Sequence, residues 1–169
     1  MARLGAPSVR PLAAADVAAV AASLSAHGIR RDMDRTWTEN VRGARTTLLG
    51  FWDGTFAGSV HLVVMSPYAP FAAAGIPEIS DFNVIPPLRR RGVGNALLEA
   101  AEGLAAQYSR VVGIGVGLYA DYGPAQRLYA RRGYVPDGRG VMYRGRPVAP
   151  GAPVPVDDDL VLYLTKEVK

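Results

Sequence analysis

Apolar positions along this chain alternate between a helical and a strand-like period, and the switches mark out the elements. Ser8–Arg10 reads as a short first strand. Pro11 then opens a helical stretch, Leu12–Ala26, in which Leu12, Val17, Val20 and Leu24 recur near a helical spacing until Gly28 stops it. Ile29–Arg42 is polar and predicts a second short helix holding Trp37. Thr46–Trp52 and Thr55–Met65 are β-branched and aromatic, and the Asp53-Gly54 pair between them signals a hairpin. Ser66–Pro77, rich in Pro and Ala, reads as a loop. Glu78–Val84 is the next strand, closed by Pro86-Pro87 because proline has no N–H for a ladder.

The second half continues in kind. Gly92–Tyr108 predicts a helix with Ala96, Leu97, Ala100, Ala101 and Leu104 on one side. Arg110–Gly117 is a buried strand whose glycines imply a close approach to its backbone. Tyr122–Arg132 is a helix stopped by Gly133, Tyr134-Val135 start a strand, and Pro136–Gly140 is a turn. Arg144–Val156 is a Pro/Gly-rich excursion too short to link domains, and Leu160–Lys166 supplies the last strand. The order β-α-α-β-β-β-α-β-α-β-β, with no internal repeat, predicts an α/β (α+β) fold: one domain over 1–169 with a mixed sheet flanked by helices.

Composition narrows the chemistry. Of 169 residues, 49% are hydrophobic and 20% charged, enough apolar material for a core and too little charge for disorder. The net charge of +4 suits an anionic ligand and is too small and scattered to argue for nucleic acid. There is no cysteine, which removes disulfides, thiolate nucleophiles and Cys-based zinc sites. The two histidines, His27 and His61, lie far apart, so a metal site and a His-based triad are poorly supported. No apolar run approaches the roughly 18–20 residues of a membrane span. The alanine-rich beginning lacks a compact signal-type apolar region and is interrupted by Asp16, so a soluble, cytoplasmic protein is expected.

The most telling stretch is Ile79–Ala100, a strand, a basic glycine turn and a helix start. Arg89, Gly92 and Gly94 stand there as R-x-x-G-x-G. Unpaired N–H groups at a helix N-terminus converge on a point, and glycines let an anion approach the backbone. With Arg89, Arg90 and Arg91 around it, the turn implies a small ligand carrying a pyrophosphate. No G-K-[ST] follows the glycines, so a P-loop nucleotide site is a poor fit.

This turn, VIPPLRRRGVGNALL, followed by a strand, a helix and LYARRGY, resembles the GNAT superfamily of acyl-CoA-dependent N-acetyltransferases over roughly Thr46–Tyr143. The resemblance implies a mostly antiparallel sheet of six to seven strands with about four helices, acetyl-CoA as co-substrate, and no metal. It implies that the strand before the turn splays from its neighbour, exposing backbone at Asn83 and Val84 to the pantetheine amides. The amides of Arg89–Asn95, through Arg90, Arg91, Gly92, Val93 and Gly94, would cradle the pyrophosphate, with the arginines adding charge-assisted bonds. Tyr129, the tyrosine of L-Y-x-x-x-G-[FY], would protonate or hydrogen-bond the departing thiolate. Many relatives carry Asn where this chain has Tyr122, which would stack on or bond the cofactor instead, or serve as a cap-region aromatic.

A carboxylate on the central strand is implied as the base that frees the amine. Glu78 is the first choice and Asp81 the second, and strand alternation would face them opposite ways. His61 reads as a satisfied core histidine and His27 as a helix-end residue favourable to the dipole. Trp37, Tyr68, Phe71 and Tyr119 are either acceptor-pocket lining or ordinary packing. Asp157–Asp159 is either a lure for a cationic acceptor or a solvated turn. The expected activity is direct acetyl transfer to a primary amine of a small molecule. A protein or peptide N-acetyltransferase and a silent acyl-CoA-binding module are the alternatives. Relatives often dimerise, and nothing in the sequence specifies it.

Overall fold

A computed structural model describes residues 5–168. Its elements run β1 (Pro7–Pro11), α1 (Val17–Ala26), α2 (Met33–Val41), β2 (Thr46–Trp52), β3 (Thr55–Val63), α3 (Ala69–Ala74), β4 (Glu78–Val84) and α4 (Val93–Ala105). They continue with β5 (Val111–Gly117), α5 (Gly123–Arg131), β6 (Val135–Tyr143), β7 (Arg146–Pro147) and β8 (Leu160–Glu167). All eight strands form one sheet in the order β1-β2-β3-β4-β5-β8-β6-β7. Only the β4–β5 pairing is parallel, and it sits at the centre.

The count exceeds the expected six to seven strands and four helices for local reasons. β7 is a two-residue strand inside the Pro/Gly-rich excursion, too short to leave a pattern. α3 lies in the stretch read as a loop, but Pro70 stands in its first turn and Gly75 ends it at φ 64°, so proline and glycine act there as start and stop signals. β6 runs through the expected Pro136–Gly140 turn as an irregular strand whose register against β8 slips between Pro136 and Val141. α1 begins at Val17, after a 3₁₀ turn at Ala14–Asp16, because Asp16 accepts the Ala13 N–H at 2.9 Å and pairs with Arg10.

The sheet is covered on both faces. Against one face α4 and α5 pack Val93, Leu97, Leu98, Ala101 and Tyr129 onto Leu48, Val60, Leu62, Ile79, Val112 and Ile114. Against the other, α1 and α2 pack Val20, Leu24 and Met33 around Leu49. Burying each such aliphatic side chain contributes roughly 1.5–3 kcal/mol. α3 sets Phe71 against the backbone of β5, where a Cβ on Gly113 would lie 2.0 Å from the Phe71 ring. The close approach expected from the β5 glycines is therefore made by aromatic side chains.

Candidate active site

β4 and β5 pair only at Glu78–Gly113 and Ile79–Ile114, then part. The gap is a cleft of about 290 Å³ lined by Glu78, Asp81, Asn83, Tyr122, Tyr129 and Tyr163 among others. Asn83 and Val84 lie on the part of β4 beyond Ile79, which has no β5 partner. One expectation fails. Glu78 and Asp81 do not face opposite ways, because the β3–β4 register shifts between Ser59 and His61 and Asp81 sits in a bulge at φ 48°. Glu78 lies opposite Gly113, on the face covered by α3, and the Asp81 carboxylate turns to the same face toward His61.

The basic turn leads directly into α4. Gly92 caps the helix at φ 82°, a left-handed conformation that suits glycine. No side chain caps α4, so the N–H groups of its first turn, Val93, Gly94 and Asn95, stay open to a ligand. Gly94 also lets the helix close on β4, since a Cβ there would meet the Phe82 ring at 3.1 Å. The three arginines differ. Arg89 donates Nε to the Val84 carbonyl at 3.0 Å, tying the turn to the free edge of β4. Arg90 stands exposed at φ 61°. Arg91 lies over the Trp52 ring at 5.5 Å.

Tyr129 is 4% exposed, its ring near Phe82 and Tyr134, and it lines the cleft. Burial raises its pKa well above that of a free phenol, so it stays neutral. Glu78 is 7% exposed. Burial raises its pKa from the ordinary carboxylate value, partly opposed by a 2.5 Å hydrogen bond from Ser66 Oγ. Tyr122 opens α5, with its ring over Gly117 and its hydroxyl donating to Asp158 at 2.9 Å. Tyr119 donates to the same Asp158 oxygen at 2.5 Å. The aspartate turn is thus engaged: Asp157 accepts from Tyr143 and Asp159 pairs with Arg144.

Of the other residues singled out, His61 is a buried, hydrogen-bonded core residue, and His27 closes α1 with Nδ1 2.8 Å from the Ser23 carbonyl. Trp37 packs with the α1–α2 cluster, and Tyr68 and Phe71 are buried with Tyr163 stacked on Tyr68 at 3.7 Å. Sequence reasoning missed Ser66 and Arg31, and it singled out Asp158 without its tyrosine partners, which lie far along the chain. It also missed Glu102, which accepts from Arg132 (2.7 and 2.9 Å), Lys166 (2.7 Å) and Tyr134 (3.0 Å). A lone glutamate on the apolar side of a predicted helix was the one available signal.

A family model described as Acetyltransferase (GNAT) family matches residues 19–134, and the chain belongs to that family. Solved structures with the same fold include a GNAT-family protein from Desulfovibrio desulfuricans, 18% identical, covering 97% of this chain and 100% of its own, at a TM-score of 0.70. A Salmonella typhimurium protein described as an acetyltransferase and solved with its cofactor acetyl-CoA is 19% identical, covering 97% and 95%, at a TM-score of 0.66. The ribosomal-protein-alanine N-acetyltransferase of Brucella melitensis is 20% identical, covering 95% and 99%, at 0.66. No curated protein matches the chain.

The protein is therefore an acetyl-CoA-dependent acetyltransferase of the GNAT type. Its residues fit that donor: an uncapped helix start beside a left-handed glycine, three arginines, and a β4 edge freed by the splay. Among the described residues no cluster of three or more His, Asp or Glu could hold a metal ion, and no helix is long and apolar enough to cross a membrane.

Proposed function

We propose that this protein transfers the acetyl group of acetyl-CoA directly to the primary amine of a small molecule. The observation that carries the reading is the juxtaposition, in one cleft, of a neutral buried phenol (Tyr129) and a buried carboxyl group (Glu78) beside the free edge of β4. Acetyl-CoA supplies an acetyl group activated as a thioester. The turn residues Arg89–Asn95 bind its phosphates, and the backbone of Asn83 and Val84 aligns its pantetheine arm by strand addition.

The remaining steps belong to the chain's own groups. An alkylammonium cannot attack until it loses a proton. Glu78, with its pKa raised by burial, accepts that proton directly or through a water. Tyr129 keeps its proton and donates a hydrogen bond to the departing sulfur. A free phenol has a pKa near 10 against about 8.5 for a thiol, and burial moves Tyr129 further up, so hydrogen bonding is favoured over full transfer. The sequence contains no cysteine to carry the acetyl group, which favours direct attack.

The test is CoA release from acetyl-CoA in a panel of small primary amines and of short peptides with free N-termini. Turnover confined to small amines is the expected result. Turnover confined to peptides would move the protein to the protein-acetylating class, and acetyl-CoA binding without turnover to a silent binding module.

A further inference from the structure

A chain of hydrogen bonds runs from α2 through the sheet to His61, which faces Asp81 on the cleft wall, and its polarity is fixed by the backbone. The Thr47 N–H donates to Asn40 Oδ1 at 2.7 Å. Asn40 Nδ2 is therefore the donor to the Thr36 carbonyl and to Thr47 Oγ1, both at 2.8 Å. The Thr47 hydroxyl proton then has one remaining partner among the described residues, His61 Nδ1 at 2.8 Å. An imidazole nitrogen that accepts carries no hydrogen, so neutral His61 holds its proton on Nε2.

His61 Nε2 faces Asp81 Oδ2 at 3.6 Å, and the other Asp81 oxygen accepts from Arg31 Nη2 at 3.0 Å. The longer contact exceeds a hydrogen bond, but an N–H dipole aimed at a carboxylate from a 3% exposed ring still attracts it. The bulge that turns Asp81 this way holds a non-glycine residue in the left-handed region, a conformation concentrated at working sites. Arg31 already shows that this carboxylate, at the edge of the cleft, takes a planar cation.

We infer that Asp81 is the carboxylate that receives the charged amine of the acceptor, in exchange for Arg31, and that His61, fixed as an Nε2–H donor by Asn40 and Thr47, is the positioning residue that aims it. The first half rests on the amine-acceptor reading above and narrows it to acceptors that arrive as cations. The second half stands on the hydrogen-bond chain, which sets the tautomer, and on the 3.6 Å approach of His61 Nε2 to Asp81. His61 stays neutral because burial and the cations Arg45 and Arg31 oppose its charge, against Asp81 from β4 and Glu39 from α2.

Two experiments separate the halves. In ¹⁵N-histidine spectra of the whole protein between about pH 5.5 and 8, where an ordinary imidazole with a pKa near 6.5 titrates, one of the two imidazoles is expected to hold a fixed Nε2–H tautomer throughout. Thr47→Val is expected to release that preference. An Nδ1–H tautomer, or ordinary titration of both rings, overturns the relay. In kinetics with the fastest small amine of the panel, Asp81→Asn is expected to raise its KM about tenfold and leave the acetyl-CoA KM within about twofold, the scale of one lost charge-assisted contact.

His61→Leu should follow Asp81→Asn, and His61→Gln, which keeps a donor at the Nε2 position, should restore most of the amine affinity. An unchanged amine KM with a fall in kcat overturns the ammonium assignment and makes Asp81 part of the proton transfer instead. A panel with no turnover overturns it together with the amine-acceptor reading, while the spectra still decide the relay.

Discussion

Tyr129 and Glu78 line the same cleft, and the proposed reaction asks opposite things of them, one to keep a proton and one to take it. Removing the Tyr129 hydroxyl with Tyr129→Phe leaves the ring packing against Phe82 and Tyr134 in place. It should lower kcat by about a hundredfold, within the range for a positioned acid–base group, with little change in the acetyl-CoA KM. Steady-state kinetics checks this, and equal turnover would remove the assigned role. For Glu78 the sign follows from its raised pKa. As the proposed base, Glu78 works only when ionised, so kcat/KM should fall as pH drops through its raised pKa. Glu78→Gln should abolish that acid limb and cost about 10²–10⁴ in kcat.

The same shift links Glu78 to stability. A carboxyl whose folded pKa is raised stabilises the fold below its unfolded pKa and loses that contribution as pH rises through the folded value. Above that pH the buried charge is a burden, which Glu78→Gln relieves. The variant should melt at or above the wild-type temperature at pH 8 while losing activity, and thermal melts at pH 5 and 8 measure this. The sequence singled out Tyr129 and Glu78 because their motif or strand is local. It did not show that Ser66 holds Glu78 or that Asp158 holds Tyr122, since those partners meet only after the chain folds.

Among the elements, the turn into α4 was the most legible and the bulge in β4 the least. R-x-x-G-x-G at a helix start can be read from adjacent residues. Strand alternation, by contrast, predicted the wrong face for Asp81, because a bulge depends on the register against β3 and leaves no composition signal. α3 was hidden because its Pro and Ala content fits a loop as well as a short helix. The turn yields a prediction of its own. Gly92→Val forces a β-branched residue into φ 82°, costs roughly 1–2 kcal/mol, and should weaken acetyl-CoA binding more than it weakens the fold.

Glu102 ties several elements together through one carboxylate. It joins α4 to Arg132 after α5, to Tyr134 and to Lys166 on β8, and Arg132 reaches on to Asn95 Oδ1 at 3.3 Å. Burial works to raise the Glu102 pKa, but the Arg132 and Lys166 bonds outweigh it and hold the carboxylate ionised. Glu102→Ala strands two cations beside a mostly buried site and should cost about 3–5 kcal/mol, a fall of roughly 10 °C in melting temperature for a chain of this size. Calorimetric melting checks the loss, and a change under about 1 kcal/mol would mean the cluster is solvated.

For the molecule as a whole, the central feature is one parallel pair in an otherwise antiparallel sheet, paired for two residues and then open. That opening leaves Glu78, Asp81, Asn83 and Tyr129 around one cleft. Whole-molecule stability should also carry the mark of the sheet's buried histidine. Burial lowers the His61 pKa from 6.5 to about 4. A depressed pKa means stability that is present above the unfolded value and lost as pH falls toward the folded one. The fold should thus lose on the order of 3 kcal/mol between about pH 6.5 and 4 through this residue, and His61→Gln should flatten that part of the denaturation profile.

The measurement that tests the account most directly is calorimetric titration of the wild type and of Gly92→Val with acetyl-CoA, CoA and ATP. The wild type is expected to bind one acetyl-CoA per chain with micromolar affinity and little ATP, and Gly92→Val to bind acetyl-CoA at least tenfold more weakly while remaining folded. Absence of acetyl-CoA binding, equal affinity for ATP, or indifference to Gly92→Val would contradict the assignment of the β4–α4 turn and the β4–β5 cleft as the acetyl-CoA site.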